Sequence, residues 1–334
     1  MLIHRTPLNC AQVEENVSVA LQPGAMRRSL LPENLPLPAF TLAQARNLGV
    51  PPVPLHRSGL GGPSRGLRVL KSAEPDLAAL VRSLLALTPG CFASHLTAAK
   101  LWRVPLPFWA ENRTEIDIAR RRPAAAPRRK GVNGHRLRIT RDEVTLQNGV
   151  WLTTPARTWR DLATVLNEED LVVAGDFLVR SRQRDFGEQR KAHCTLAQLT
   201  EMLPERAQAN VLRRTAAAKV RSGVDSPQET RLRLQLVDAG LPEPAVNHSL
   251  DDPFDGHPIR WADLAYLDYK IVIQYEGDHH RSRAQLATDI ARDDDWQRAG
   301  WTVVRLTSAD LQAEGAYAVA KVRAALVRSG WQPR

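Results

Sequence analysis

Residues Trp261 to His280 read W-A-D-L-A-Y-L-D-Y-K-I-V-I-Q-Y-E-G-D-H-H, a strand-like run carrying Asp263, a tight turn, and a strongly apolar run that closes on Gln274 and Glu276. Side chains of a strand alternate faces, so Gln274 and Glu276 share one side while Ile271, Ile273 and Tyr275 share the other. The turn from Tyr266 to Tyr269 is short enough to fold the chain back as an antiparallel hairpin, which brings Asp263 beside Gln274 and Glu276. Two carboxylates and an amide oxygen on a rigid support are the donors that a hard divalent cation, Mg²⁺ or Mn²⁺, takes. Phosphodiester hydrolysis is the chemistry such a cation serves. An acid between Ala262 and Leu264 in mid-strand is out of place without a partner, so Asp263 is the expected metal ligand, the alternative being a solvated edge residue.

Outward from the hairpin, residues 224–334 read as helix, three strands, helix, strand and a last helix. Ser226-Pro-Gln-Glu229 opens the first helix after Gly223, where a domain boundary is expected. Glu229 has two readings: a site carboxylate, or the acidic partner of a capping box with Ser226. Strands follow near 245–250, 258–265 and 270–276, then a helix over 283–299, a strand over 301–306 and a helix from Ser308. His280, just past Glu276, is placed to orient or deprotonate an attacking water, with His279 pointing elsewhere. Asp278 and Asp293 to Asp295 read as solvated charges, and Lys270 as a contact for phosphate.

Residues 1–35 lack a sustained period and contain Pro7, Pro23 and Pro32, so a disordered leader is expected, with Met26 as a possible internal start. Residues 36–90 suggest a winged-helix-like element: a helix over 40–49 capped by Thr41, a Pro/Gly-rich turn, a strand over 66–70, and a helix over 76–87. Residues 91–223 read as a basic α+β region. Ser94 is expected to cap a helix, strands lie over 115–119 and 135–139, and helices run over 154–166, 170–179 and, broken at Pro204, 196–220. His95 and the Thr158, Arg160, Asp161 group read as helix caps or bridges.

The net charge of +10 is uneven: residues 225–334 carry 13 Lys and Arg against 17 Asp and Glu, leaving 33 against 19 for residues 1–224. A polyanion is the natural partner of that basic region, since neutralising phosphates releases counterions. Arg120, Arg121, Arg122, Arg128, Arg129, Lys130, Arg213 and Arg214 are the candidate nucleic-acid contacts. A bland source competes: only seven of the 46 basic residues are Lys, and Arg, Ala and Leu enrichment is what a GC-rich genome writes. Three widely spaced cysteines indicate neither a disulfide framework nor a zinc site. With no membrane-length apolar run and no signal-peptide pattern, a cytoplasmic protein without a membrane partner is expected.

The C-terminal motifs resemble the Vsr-like branch of the PD-(D/E)xK nuclease superfamily. They are Ser226, Pro227 and Glu229; Asp263-Leu-Ala; Tyr275, Gly277 and His280; Asp289 and Arg292; and Gly300-Trp-Thr-Val-Val-Arg305. The resemblance implies a restriction-endonuclease-like αβββαβ domain within an α/β chain, and a metal-dependent DNA endonuclease. Asp263, Gln274, Glu276 and Glu229 would then be metal ligands and His280 a proton-transfer aid. Where the family has Glu first in its E-x-(D/Q) pair, this chain has Gln274, with Glu276 two residues on. Phe40 to Gly49, Ser94 to Trp102 and Thr154 to Ala163 resemble the AbiEi-type region, which implies a winged-helix DNA-binding element. The competing expectation is an antitoxin-like DNA-binding regulator with an inactive nuclease fold, and RNA remains open as a substrate.

Overall fold

The computed structural model describes residues 31–333 apart from 33, 53–54, 56–58, 74–75, 182–190, 204–210, 252–257, 277–293 and 313–314. The chain is mixed α/β, built on three sheets. In the first, β1 (Ala39–Thr41), β2 (Leu60–Gly61) and β3 (Leu67–Leu70) run in the order β1-β3-β2, all antiparallel. Helix α1 (Leu42–Asn47) begins directly after Thr41, while Phe40 is wholly buried in β1 opposite Arg68. Thr41 is its cap: Gln44 N donates to Thr41 Oγ1 at 3.1 Å, and Thr41 N donates to Gln44 Oε1 at 2.8 Å. Helix α2 (Leu77–Ala86) follows, with Asp76 accepting from Ala79 N.

The second sheet has β4 (Cys91–Ala93), β5 (Ile116–Arg121), β6 (Val132–Leu137), β7 (Val144–Gln147) and β8 (Val150–Thr153) in the order β6-β5-β4-β8-β7. Around it lie α3 (His95–Leu101), α4 (Phe108–Glu111), α5 (Pro155–Leu162), α6 (Glu168–Val179), α7 (Leu196–Glu201) and α8 (Val211–Lys219). Trp159 is fully buried in this core and donates its indole N–H to Leu171 O at 2.9 Å. Helix α5 begins with Thr154 at the cap and Pro155 in the first turn, where a missing N–H costs nothing. Ser94 stands at the N-cap of α3 as expected, but its side chain makes no capping bond: its Oγ lies 3.0 Å from His95 Nδ1, and His95, at φ +47°, stacks its ring on His135 at 3.8 Å.

Strand β6 runs beside β5 with Gly134 opposite Ile118. A Cβ on Gly134 would fall 1.9 Å from Pro127 O, a main-chain atom that cannot swing aside. Gly134→Ala should therefore destabilise the protein by roughly 1–3 kcal/mol through overpacking. Denaturant melts check this, and an unchanged midpoint would contradict it.

The third sheet follows α9 (Pro227–Asp238): β9 (Ala245–Asp251), β10 (Pro258–Tyr266), β11 (Ile271–Glu276) and β12 (Thr302–Thr307), in the order β12-β11-β10-β9. Strands β9, β10 and β11 are antiparallel neighbours, and β12 lies parallel to β11. Ile271, Ile273, Leu264, Val304 and Leu306 join Leu232 and Leu236 of α9 and Val322 and Leu326 of α10 (Ala316–Arg328) in one core cluster. Ala265 and Val272 pack with Trp296 in another. Of the helix expected over 283–299, residues 283–293 lie outside the described residues and 294–298 are helical. The last helix starts at Ala316, not Ser308, after a 3₁₀ turn over Ser308–Leu311 and a left-handed Gly315. Asp295 is not a solvated charge: it pairs with Arg260 of β10 at 2.6 Å and Arg298 at 2.8 Å. No described helix is long and apolar enough to cross a membrane.

Candidate metal site on the C-terminal sheet

The β10–β11 ladder pairs Tyr266 with Ile271, Ala265 with Val272 and Leu264 with Ile273, and its recorded rows end there. Beyond them side chains link the two strands. Asp263 Oδ2 accepts from Tyr275 N at 2.7 Å, and Gln274 Nε2 donates to Trp261 O at 3.1 Å. The hairpin thus brings Asp263 and Gln274 together as expected. The Gln274 nitrogen is engaged by main chain, and the oxygen is the amide end not used in that bond. Glu276 is salt-bridged to Arg305. Arg305 stands opposite Gln274 in the parallel β11–β12 register, so a guanidinium occupies this face of the sheet. Lys270 sits at the turn in a left-handed conformation. His280, His279, Asp289 and Arg292 lie outside the described residues.

Glu229 arrives from the first turn of α9. Glu229 N donates to Ser226 Oγ at 3.2 Å, the first half of a capping box. The second half is displaced by one residue, since Glu229 Oε2 accepts from Asp225 N at 2.9 Å and not from Ser226 N. The side chain is buried, and burial followed by the charge of Asp263 raises its pKa from 4.5 to about 7. Asp263 and Glu229, 34 residues apart and on different elements, thus influence each other's charge. Among the described residues, no group of three or more His, Cys, Asp or Glu could hold a metal ion. The site therefore offers two carboxylates; Gln274 and Arg305 project from the face of β11 and β12 opposite to Ile273 and Val304, which pack with α9.

The raised pKa has a pH consequence. Between 4.5 and about 7 the folded chain keeps a proton on Glu229 that the unfolded chain has released, so this group's contribution to stability falls as pH rises through that range. His95, lowered to about 3 chiefly by burial, and His248, also lowered by burial, act in the opposite sense below pH 6.5. The clean readout is thus the difference between wild type and Glu229→Gln. The variant should match wild type in Tm near pH 5 and exceed it at pH 8. A difference that does not change with pH would contradict the assignment.

The basic candidates divide by exposure. Arg121, Arg122, Arg128, Lys130 and Arg214 are exposed. Three others are tied mostly to main chain: Arg120 Nη2 donates to Pro89 O at 3.1 Å, Arg213 Nε to Arg160 O at 3.1 Å, and Arg129 to Arg65 O as well as to the side chain of Ser64. Phe108, Trp109 and Trp151 are exposed aromatics of the same region that the sequence reading did not single out. Their signal was present in the charge-poor run P-L-P-F-W and the odd position of Trp151 between buried Val150 and Leu152. Arg305 was also missed as a site residue, although it ends the Gly300 to Arg305 motif. The chain matches no protein-family model, no curated protein and no solved structure.

Proposed function

We propose that the chain is a divalent-metal-dependent nuclease acting on DNA, with Glu229 and Asp263 as the metal-holding carboxylates. The carrying observation is that Glu229, at the start of α9, is buried within the field of Asp263 on β10, so that burial first and the Asp263 charge second raise its pKa. Like charges gathered at a buried position cost stability, and a cation relieves that cost. Mg²⁺ keeps several waters and is bound through one or two carboxylates plus substrate phosphate, so the donor set fits it, or Mn²⁺ in its place. When bound, such a cation neutralises phosphate charge and makes a water a stronger nucleophile.

The chain's own residues supply the rest. Gln274, paired through its nitrogen to Trp261 O, leaves its amide oxygen outside that bond. Arg305, held by Glu276, puts a positive charge where a phosphate approaches the sheet. Glu229, which holds a proton near neutrality, gives up that proton when a cation takes its carboxylate. The front region's excess of 33 basic over 19 acidic residues, with Arg121, Arg122, Arg128, Lys130 and Arg214 exposed, suits a phosphate backbone. The test is nicking of supercoiled plasmid by the purified full chain with Mg²⁺ or Mn²⁺, with an RNA substrate run alongside.

A second reading has its own support. Glu276 is paired with Arg305, and the Gln274 nitrogen is engaged by Trp261 O, an arrangement that also suits an inactive DNA-binding regulator. Salt-sensitive DNA binding without cleavage, by a folded chain, would favour it.

A further inference from the structure

The helix that carries Glu229 is gripped from outside its own sheet. Asp176, near the end of α6 in the front region, is 1% exposed. Its Oδ2 accepts from Thr230 Oγ1 at 2.9 Å and from Arg233 Nη2 at 3.1 Å, and its Oδ1 accepts from Arg221 N at 2.7 Å. Thr230 is the residue after Glu229, and Arg233 lies one turn further on. The other flank is held by the same helix end: Arg180, the C-cap of α6, donates to Asp225 O, and Asp225 N is the donor to Glu229 Oε2. Both neighbours of Glu229 are thus fixed by α6.

Burying an ion pair is a poor route to stability, because desolvation offsets the attraction; register is the better-attested return. Apolar side chains would dock α9 at less cost. Arg233, itself 1% exposed, also bonds Glu243 at 3.0 Å and Lys219 O at 2.8 Å, so the pair ties α9 to α6 and to the end of α8. Burial raises the pKa of Asp176 to about 6, against the pull of Arg233, a measure of what the arrangement costs.

We propose that Asp176 is a positioning residue for the metal site: through Thr230 and Arg233 it sets the placement of α9 that presents Glu229 to Asp263, making the front region part of that site. This rests on the metal-site reading above. Groups outside the ligand set that orient ligands change metal affinity by about 10- to 100-fold when removed. The test is Mn²⁺ titration of the full chain by calorimetry, with Tm measured in parallel, for wild type, Thr230→Val and Asp176→Asn. Thr230→Val removes one hydroxyl and keeps the shape, so it folds even where the Asp176 variant does not.

The expected result is roughly tenfold weaker Mn²⁺ binding by Thr230→Val with a Tm change of only a few degrees. A folded Asp176→Asn should show at least as large a loss, and plasmid nicking should lose kcat with KM for DNA unchanged. Wild-type affinity in folded Thr230→Val, whatever its Tm, would reduce the contact to a structural one and overturn the proposal. Absence of Mn²⁺ binding by the wild type itself would remove the metal site, and the inference with it.

Discussion

Asp263→Asn should abolish metal-dependent cleavage while leaving the fold in place. The amide keeps an oxygen in position to accept from Tyr275 N, the 2.7 Å bond by which the carboxylate links β10 to β11, so the hairpin retains its geometry. What is lost is the negative charge. A bound cation is worth several kcal/mol of transition-state stabilisation, and each 1.36 kcal/mol is tenfold in rate, so the expected fall is about 10³-fold or more. The substitution also removes the second-largest cause that raises Glu229, whose pKa should drop. Plasmid nicking alongside a thermal melt checks the prediction. Residual cleavage within tenfold of wild type, with Tm unchanged, would remove Asp263 from the site.

Arg157→Ala should be the most damaging single change to stability. Arg157 donates to Asp161 Oδ1 at 3.0 Å, to Glu143 Oε1 at 2.9 Å and to Arg138 O at 2.9 Å, with its side chain 4% exposed. Burial raises the pKa of Asp161, while Glu143 is held below its ordinary value by Thr140 and Arg157 against its own burial. Removing the guanidinium leaves buried Asp161 without its hydrogen-bonded cation and takes one partner from Glu143, which keeps Thr140, a loss of roughly 3–5 kcal/mol. In a body of this size that corresponds to a Tm lower by about 6–20 °C. A shift under 2 °C would contradict the network's role. Rescue by acidification is expected in part, since protonated carboxyls need no cation.

The hairpin, the helix at Ser226 and the place of Asp263 were legible because each depends on local rules: strand alternation, a short turn, and Ser-Pro at a helix start. The β7–β8 hairpin was equally local and was missed. Asn148 and Gly149, at φ +49° and +73°, are the Asn-Gly pair that two-residue turns demand, and the residue pattern there was passed over. Strand β4 was not legible, since three residues, Cys91–Ala93, gain strand character only from the neighbours β5 and β8. At the site, Glu276 could not be known to face Arg305, because β12 returns parallel after a connection of more than twenty residues and its register is a tertiary fact. The Asp176 to Arg233 link spans 57 residues and two sheets' helices, beyond any spacing rule. His280 falls outside the described residues, so its expected role in proton transfer is untouched by the geometry.

The most direct measurement of the central claim is the proton count of metal binding. Carboxylate ligands must be deprotonated, so a cation entering a site that contains Glu229 displaces the proton this residue holds near neutrality. Calorimetric titration of the full chain with Mn²⁺ at pH 6.5, repeated in two buffers of different ionisation enthalpy, reads that number. The expected result is binding with release of roughly half to one proton in the wild type, release that falls toward zero at pH 8.5, and none in Glu229→Gln. Binding without proton release would place the metal away from Glu229, and no binding by the folded chain would contradict the nuclease reading outright.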